Sequence, residues 1–508
     1  MVDQNKVNQN YDEFNEEEQK FLSRDLRKES YYIHGHYPTE DLDTEIFRPV
    51  FKRKRTWLVF AAFVLMVSVL SFFKPDVSAH ADLDPQKVTV GIAIFVCIAF
   101  LWLTEAMPLA ATALLVPVLA SFFGVSDVTK SLASFANPLI FVFFGGFALA
   151  SALAYQGIDK LIANRIVVAS KGKMFIAAIA LFGATAFLSM WMSNTATTAM
   201  MIPLILGIVH QIKSDDENKR KRTIAFFLLG VAYAASIGGM GSIVGSPPNG
   251  IAAKQLGISF GQWLTFGVPA VVILLPLMVA ILYFALRPEL SQSVKLEKME
   301  FQWTYPRMLT VGIFALTALA WIFSSKLKPL THVTGSMDTI IALSAVFALL
   351  YLRTVRWRDI DKGTDWGVLL LFGGGIALSS VLSATGASNY LANIFTQLVA
   401  GWPFILVIGA VTLFVIFLTE LSSNTATAAL FVPIFYSVGQ EMGVEPSMLV
   451  LSIALAASCA FMLPVATPPN AIVFGTGMVA QKTMMRVGII LNLVFVVVLT
   501  LLSNLLFT

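Results

Sequence analysis

Two copies of Ser-Asn-Thr, Ser193-Asn194-Thr195 and Ser423-Asn424-Thr425, stand in the middle of long apolar runs. Two further blocks, Gly245-Ser246-Pro247-Pro248-Asn249 and Ala466-Thr467-Pro468-Pro469-Asn470, interrupt two other apolar runs. These residue types hold ligands rather than react with them. A helix broken inside a membrane exposes free N–H groups that carry about half a positive charge and attract anions. It also exposes carbonyl oxygens, which suit a hard cation such as sodium. Asn and Thr side chains add neutral donors for carboxylate oxygens. Pro-Pro brings no N–H and leaves the preceding carbonyls outside helix bonding.

Neither Ser-Asn-Thr break contains Lys, Arg or His. A divalent anion entering such a site against an inside-negative potential is opposed by about 2.3 kcal/mol per charge per 100 mV, roughly 4.6 kcal/mol in all. Cations bound alongside it are the economical remedy. Two monovalent ions cancel the charge, and a third lets uptake run with the potential. Two equivalent breaks offer two cation sites.

The elements that must position these motifs follow from composition. Of 508 residues, 57% are hydrophobic and 13% charged, with a mean hydropathy of +0.76. Soluble domains carry about 25% charged residues, so the chain reads as a polytopic, all-α membrane protein. A net charge of +4 offers nucleic acid no basic surface, and Cys97 and Cys459 both lie in apolar runs, which excludes a secreted disulfide framework. Some fifty mostly polar residues precede the first apolar run, which does not read as a secretory leader. Thirteen apolar runs follow, at about 57–73, 88–106, 107–124, 137–156, 174–211, 223–256, 263–286, 309–325, 338–352, 366–383, 402–439, 447–480 and 484–507.

Two of these runs, 174–211 and 402–439, are too long for one helix and carry the Ser-Asn-Thr breaks. The first is flanked by Lys160, Arg165, Lys171 and Lys173 on one side and by Lys213 and Lys219–Arg222 on the other. Cationic loops stay cytoplasmic, so this run enters from the cytoplasm and returns there. The second has no Lys or Arg between Thr385 and Arg486 except Lys482, and fits a hairpin from the outer side. Two re-entrant hairpins leave about eleven spans, with the N-terminus cytoplasmic and the C-terminus outside. Cytoplasmic loops after residue 51 then hold 23 Lys and Arg, and outer loops 6.

The chain also repeats itself. Phe144–Ser151 matches Gly373–Ser380, with Gly146 and Asn194 separated by 48 positions and Gly375 and Asn424 by 49. Three matching blocks in one order, with hairpins on opposite sides, describe an inverted-topology repeat. Such repeats with broken helices are the signature of secondary transporters. Glycine packing alone would explain one copy of each motif, not paired polar breaks in both halves.

At these residues the sequence resembles the divalent anion:sodium symporter family, the INDY-type bacterial dicarboxylate transporters. The paired Ser-Asn-Thr motifs carry most of the resemblance, then Ser-Pro-Pro-Asn and Thr-Pro-Pro-Asn, and Trp102-Leu-Thr-Glu-Ala-Met-Pro108. It runs from about residue 57 to the end. It implies one sodium site of Ser189, Ser193, Asn194 and Gly245, and a twin of Thr419, Ser423, Asn424 and Ala466. Substrate carboxylates would meet Asn194, Thr195 and Ser246 on one side and Asn424, Thr425, Thr467 and Pro468 on the other. It further implies a homodimer in the plasma (inner) membrane, working by an elevator motion, with co-transported sodium and no organic cofactor. The corresponding division is a cytoplasmic acidic tail (1–56), scaffold spans 1–4 (57–156), the first hairpin with spans 5–6 (157–286), scaffold spans 7–9 (287–383), and the second hairpin with spans 10–11 (384–508). The family includes sodium-independent exchangers and members preferring citrate or sulfate. With both Ser-Asn-Thr motifs intact, the expectation is sodium-coupled import of C4-dicarboxylates such as succinate, malate and fumarate.

Other residues support weaker readings. Glu105 and Glu420 each follow Leu-Thr inside an apolar run. They read as structural carboxylates bonded to backbone donors, with proton coupling as the alternative. Asp338 reads as a helix cap. The five histidines, His34, His36, His80, His210 and His332, fall in the tail, in loops or at helix ends. A membrane enzyme needs a nucleophile with a base, or a metal set, at membrane depth, and no histidine stands there. The acidic tail, with twelve Asp and Glu against six Lys and Arg up to Phe51, has the rhythm of an amphipathic helix over Phe14–Leu26.

Overall fold

A computed structural model describes residues 54–77, 83–212, 216–293 and 298–506. The amphipathic segment Phe14–Leu26 and His34, His36 and His80 lie outside these residues. The chain divides into two compact units, Met1–Phe60 and Ala61–Thr508. Of the described residues, 54–60 belong to the first and all the others to the second. Among the described residues there is no strand, only an isolated bridge between Lys173 and Ser293.

The first half runs α1 (Lys54–Phe72), α2 (Pro85–Thr104), α3 (Leu109–Phe122), α4 (Pro138–Gln156), α5 (Ile158–Val168), α6 (Met174–Ser189), α7 (Asn194–Val209), α8 (Glu217–Gly239), α9 (Pro247–Leu256) and α10 (Phe260–Leu286). The second runs α11 (Tyr305–Ile322), α12 (Met337–Tyr351), α13 (Trp366–Ala384), α14 (Ala387–Leu398), α15 (Phe404–Thr419), α16 (Asn424–Glu441), α17 (Pro446–Ala456), α18 (Pro468–Gly475) and α19 (Gln481–Leu506). From α4 and from α13 the helices follow in matching order, so α4–α10 and α13–α19 pair off one by one, with α17 at 11 residues shorter than α8 at 23.

Among the described residues, eight helices are long and apolar enough to cross a membrane. Three shorter apolar ones, α3, α12 and α17, with 14, 15 and 11 residues, complete the expected set of non-hairpin spans. The short pair α3 and α12 are themselves repeat counterparts. The runs at 223–256 and 447–480 are not single spans. Each is a helix, a non-helical bend and a second short helix started by Pro-Pro: α8 then α9, and α17 then α18.

Packing between the halves is reciprocal. Helix α3 lies along α13, and its counterpart α12 lies along α4. The short helix α9 packs on α16 and α17, while α18 packs on α7 and α8. Each half therefore completes the other, as a two-fold relation requires. Two of the close crossings are made by paired glycines. A methyl at Gly145 would stand 2.7 Å from Ala342 Cβ, and one at its counterpart Gly374 would stand 2.6 Å from Ala113 Cα. Only glycine lets these backbones come so close.

Asp338 is placed differently from the sequence expectation. The cap of α12 is Ser336, whose hydroxyl accepts from Thr339 N at 3.3 Å. Asp338 instead reaches another helix, its Oδ2 accepting from Phe260 N at 2.9 Å. The separation of 78 positions between these two residues made that partner invisible to a local reading.

Candidate substrate and cation site

The two Ser-Asn-Thr motifs are hairpin tips. Helix α6 ends at Ser189 and α7 begins at Asn194; α15 ends at Thr419 and α16 begins at Asn424. Ser193 and Ser423 are the caps, their hydroxyls accepting from Ala196 N at 3.2 Å and Ala426 N at 3.5 Å. Serine is well suited to this position because it satisfies one of the four unpaired N–H groups. The rest have no carbonyl partner within their own helix.

Behind each tip the same cluster recurs. Ser189 Oγ lies 2.7 Å from Asn194 Oδ1 and 2.8 Å from Ala235 O. Thr419 Oγ1 lies 2.7 Å from Asn424 Oδ1 and 3.1 Å from Ala457 O. In the second half the one hydroxyl hydrogen of Thr419 faces two acceptor oxygens. The first cluster is denser still. The Asn194 amide atom that faces it is 2.7 Å from Ser189 Oγ, 3.1 Å from Ala235 O and 3.2 Å from Gly245 O. As an NH2 group that atom has two hydrogens for three oxygens; as a carbonyl it needs a cation to share among them. A methyl at Gly245 would meet Gly239 O at 2.6 Å and Ser189 O at 2.8 Å, so carbonyls crowd this point and no side chain fits.

The bends are braced by the asparagines of the two Pro-Pro-Asn blocks. Asn249 Nδ2 donates to Gly239 O at 2.9 Å and Ser242 O at 2.7 Å, and Asn470 Nδ2 donates to Ala460 O and Leu463 O, both at 3.0 Å. Thr467 Oγ1 caps α18 by accepting from Asn470 N at 3.3 Å. Ser246 makes no such cap, and its hydroxyl instead meets Ser458 Oγ at 3.0 Å across the two halves.

All of this surrounds one cavity of about 740 Å³. Asn194, Thr195, Gly245 and Ser246 line it from the first half, and Asn424, Thr425, Ala466, Thr467 and Pro468 from the second. Ser193 and Ser423 reach it as well; Ser189 and Thr419 stand one layer back, bonded to the asparagines. Its volume is in the range of small-molecule sites. Among the described residues, no Lys, Arg or His lines it. A second cavity of about 680 Å³, between α6 and α10, is walled by apolar groups such as Phe175, Phe182 and Pro276 and holds none of the motif residues.

The rest of the polar cavity escaped the motif reading. Phe143 and Phe147 of α4 and Asp365, Gly367 and Val368 at the start of α13 also line it. Asp365 gives no local signal, because its Oδ1 caps α13 by accepting from Val368 N at 3.0 Å. The two intramembrane glutamates part company. Glu420 is buried and bonded to backbone donors, as expected, whereas Glu105 does not follow that expectation. It ends α2 in the left-handed region, at φ 47°, and lines the cavity.

A family model described as the sodium:sulfate symporter transmembrane region matches residues 77–507. The chain belongs to the divalent anion:sodium symporter family. The chain is 51% identical over 419 residues to an uncharacterized transporter of Haemophilus influenzae, covering 81% of this chain and 90% of the relative. It is 36% identical to the sodium-dependent dicarboxylate transporter SdcS of Staphylococcus saprophyticus over 473 residues, 86% of this chain and 88% of that one. SdcS of Staphylococcus aureus is similar to the same degree over 470 residues. The crystal structure of the Alcanivorax borkumensis YdaH transporter, described as having an unusual topology, shares the fold at a TM-score of 0.55 and 13% identity, covering 89% of this chain and 97% of that one. The protein is a multi-pass membrane transport protein, not an enzyme.

Proposed function

We propose that the protein imports C4-dicarboxylates of the succinate, malate and fumarate class together with sodium, across the plasma membrane. The observation that carries the reading is the pair of oxygen clusters flanking one polar cavity, behind Asn194 and Asn424. Each offers a hard cation a hydroxyl, an asparagine amide that can turn its oxygen inward, and a backbone carbonyl. Between them, Asn194, Thr195 and Ser246 face Asn424, Thr425, Thr467 and Pro468 across the cavity, and these bind the carboxylates. The cation sites comprise Ser189, Ser193, Asn194 and Gly245, and Thr419, Ser423, Asn424 and Ala466. Relatives named as sodium-dependent dicarboxylate transporters support the substrate class.

The cavity wall mixes two sets of helices. Hairpins α6–α7 and α15–α16 pack on the broken spans, whereas α4 and α13 pack on α12 and α3. This supports an elevator in which the first set carries the ligands past the second, with the second set dimerising. Asp365 follows the basic segment 353–362, which supports a cytoplasmic opening of the cavity and an inward-facing state.

The alternative is an exchanger or proton-driven carrier of the same anions, of citrate or of sulfate. Exposure of Glu105 to the cavity favours it. Labelled succinate uptake into proteoliposomes separates the two. Uptake driven by an inward sodium gradient and not by potassium is the expected result. Uptake that ignores sodium but needs dicarboxylate inside would overturn the symport reading.

A further inference from the structure

The two cation sites are built alike, but what lies directly behind them is not. Each hairpin tip places one residue after Ser189 or Thr419; in the first half it is Met190 and in the second Glu420. Glu420 Oε1 accepts from Phe461 N at 2.7 Å, Met462 N at 2.8 Å and Asn492 Nδ2 at 2.8 Å, and Oε2 accepts from Leu463 N at 3.0 Å. Four donors and no acceptor suit a carboxylate, which accepts only.

At the matching bend of the first half the link is neutral. Ser242 Oγ bonds Met190 O and accepts from Gly245 N at 3.2 Å, and Trp263 Nε1 donates to Met240 O at 3.0 Å. Glycines mark the register of the helices behind. A methyl at Gly267 would stand 2.6 Å from Met240 O, and one at Gly488 would stand 2.6 Å from Met462 Cα. Four residues on, the first half has Val271 and the second Asn492. The carboxylate and its amide partner therefore occur in one half only.

We infer that Glu420 makes the two cation sites unequal, so that the second, behind Asn424, binds sodium more tightly and fills first. This rests on the symporter reading above. Glu420 is a positioning residue with two effects. Its bond to Leu463 N anchors the residue whose carbonyl accepts from Ala466 N at 3.2 Å and Asn470 Nδ2 at 3.0 Å, so it fixes the Ala466 turn. Its charge is also carried on the residue that directly follows Thr419, whose hydroxyl is bonded to Asn424. The first site has the same fold of backbone and no such charge.

The test is the sodium dependence of succinate uptake in proteoliposomes, with sodium-dependent melting of the purified protein in detergent as a second readout. Glu420→Gln removes the charge and turns an NH2 group toward backbone N–H groups. It is expected to raise the half-saturating sodium concentration roughly tenfold and lower the Hill coefficient, with the succinate KM at saturating sodium unchanged. Glu420→Asp keeps the charge at shorter reach and should fall between. Melting should need correspondingly more sodium for the same stabilisation, which reads affinity even if uptake is weak. Met190→Leu should match the wild type in every respect. A sodium-dependent wild type with unaltered sodium dependence in both Glu420 variants overturns this inference alone. So does a lower maximal rate at an unchanged half-saturating sodium concentration, which marks a merely structural role. A wild type whose uptake and melting ignore sodium overturns the symporter reading itself.

Discussion

Ser246 and Ser458 meet across the two halves of the molecule, their hydroxyl oxygens 3.0 Å apart and both buried. One belongs to the Pro-Pro-Asn bend of the first half and the other lies just past α17. Their bond ties a cavity-lining residue to the opposite repeat, so removing the partner reads directly on the interface between halves. Ser458→Ala leaves a buried hydroxyl without its partner, at a cost of about 1–3 kcal/mol. We expect a lower melting temperature in detergent, with sodium half-saturation unchanged. An unaltered melting temperature would mean that Ser246 finds another partner in the cavity.

Asn194→Ala and Asn424→Ala remove the amide oxygens at the centre of both clusters while leaving the serine caps in place. Each should abolish sodium-driven succinate uptake, by roughly two orders of magnitude, because each loses a side-chain ligand for cation and carboxylate together. Size-exclusion profiles should stay those of the wild type. Normal uptake in both variants would remove the site assignment.

Gly145→Val and Gly374→Val add bulk at two close and equivalent helix crossings. Overpacking costs about 1–3 kcal/mol or more where backbone faces backbone, so both variants should be poorly folded. The pair should fail alike, since Ala342 and Ala113 stand in equivalent places. Thermal melting of fluorescent fusions in detergent checks this. A tolerant Gly374 beside an intolerant Gly145 would break the proposed equivalence.

Glu105→Gln tests the proton-driven alternative. Under the symport reading, its carboxylate lines the cavity without carrying the coupling ion. Succinate uptake by the variant should keep the wild-type pH profile and sodium dependence. A flattened pH profile with sodium made dispensable would move the coupling to Glu105.

The legible part of this molecule is the part where polarity is expensive. Ser-Asn-Thr and Pro-Pro-Asn stand out because an apolar chain tolerates them only where they line a protein cavity, and their duplication gave away the repeat. Positive loops are the basis for the sides proposed for the hairpins, for the same electrostatic reason. What stayed hidden depends on distance along the chain. Asp338 looks like an ordinary cap until Phe260 is brought to it, and Asp365 until α13 closes on the cavity. Glu420 was recognisable as an anchored carboxylate, but its Asn492 partner lies 72 positions away. Phe143 and Phe147 carry no mark at all, since a cavity wall and a lipid face use the same side chains.

The exchange of partners between α3–α13 and α12–α4 also bears on how the chain is made. When translation has reached Leu286, α4 has emerged without the helix whose Ala342 meets Gly145, and α3 without the one whose Gly374 meets Ala113. The first half is thus a waiting structure, held in the bilayer by its own spans until the later helices arrive. Neither half is a self-sufficient unit of biogenesis. Co-expressed as separate polypeptides divided in the 287–304 segment, they should find each other and reconstitute one carrier, while either alone should be degraded.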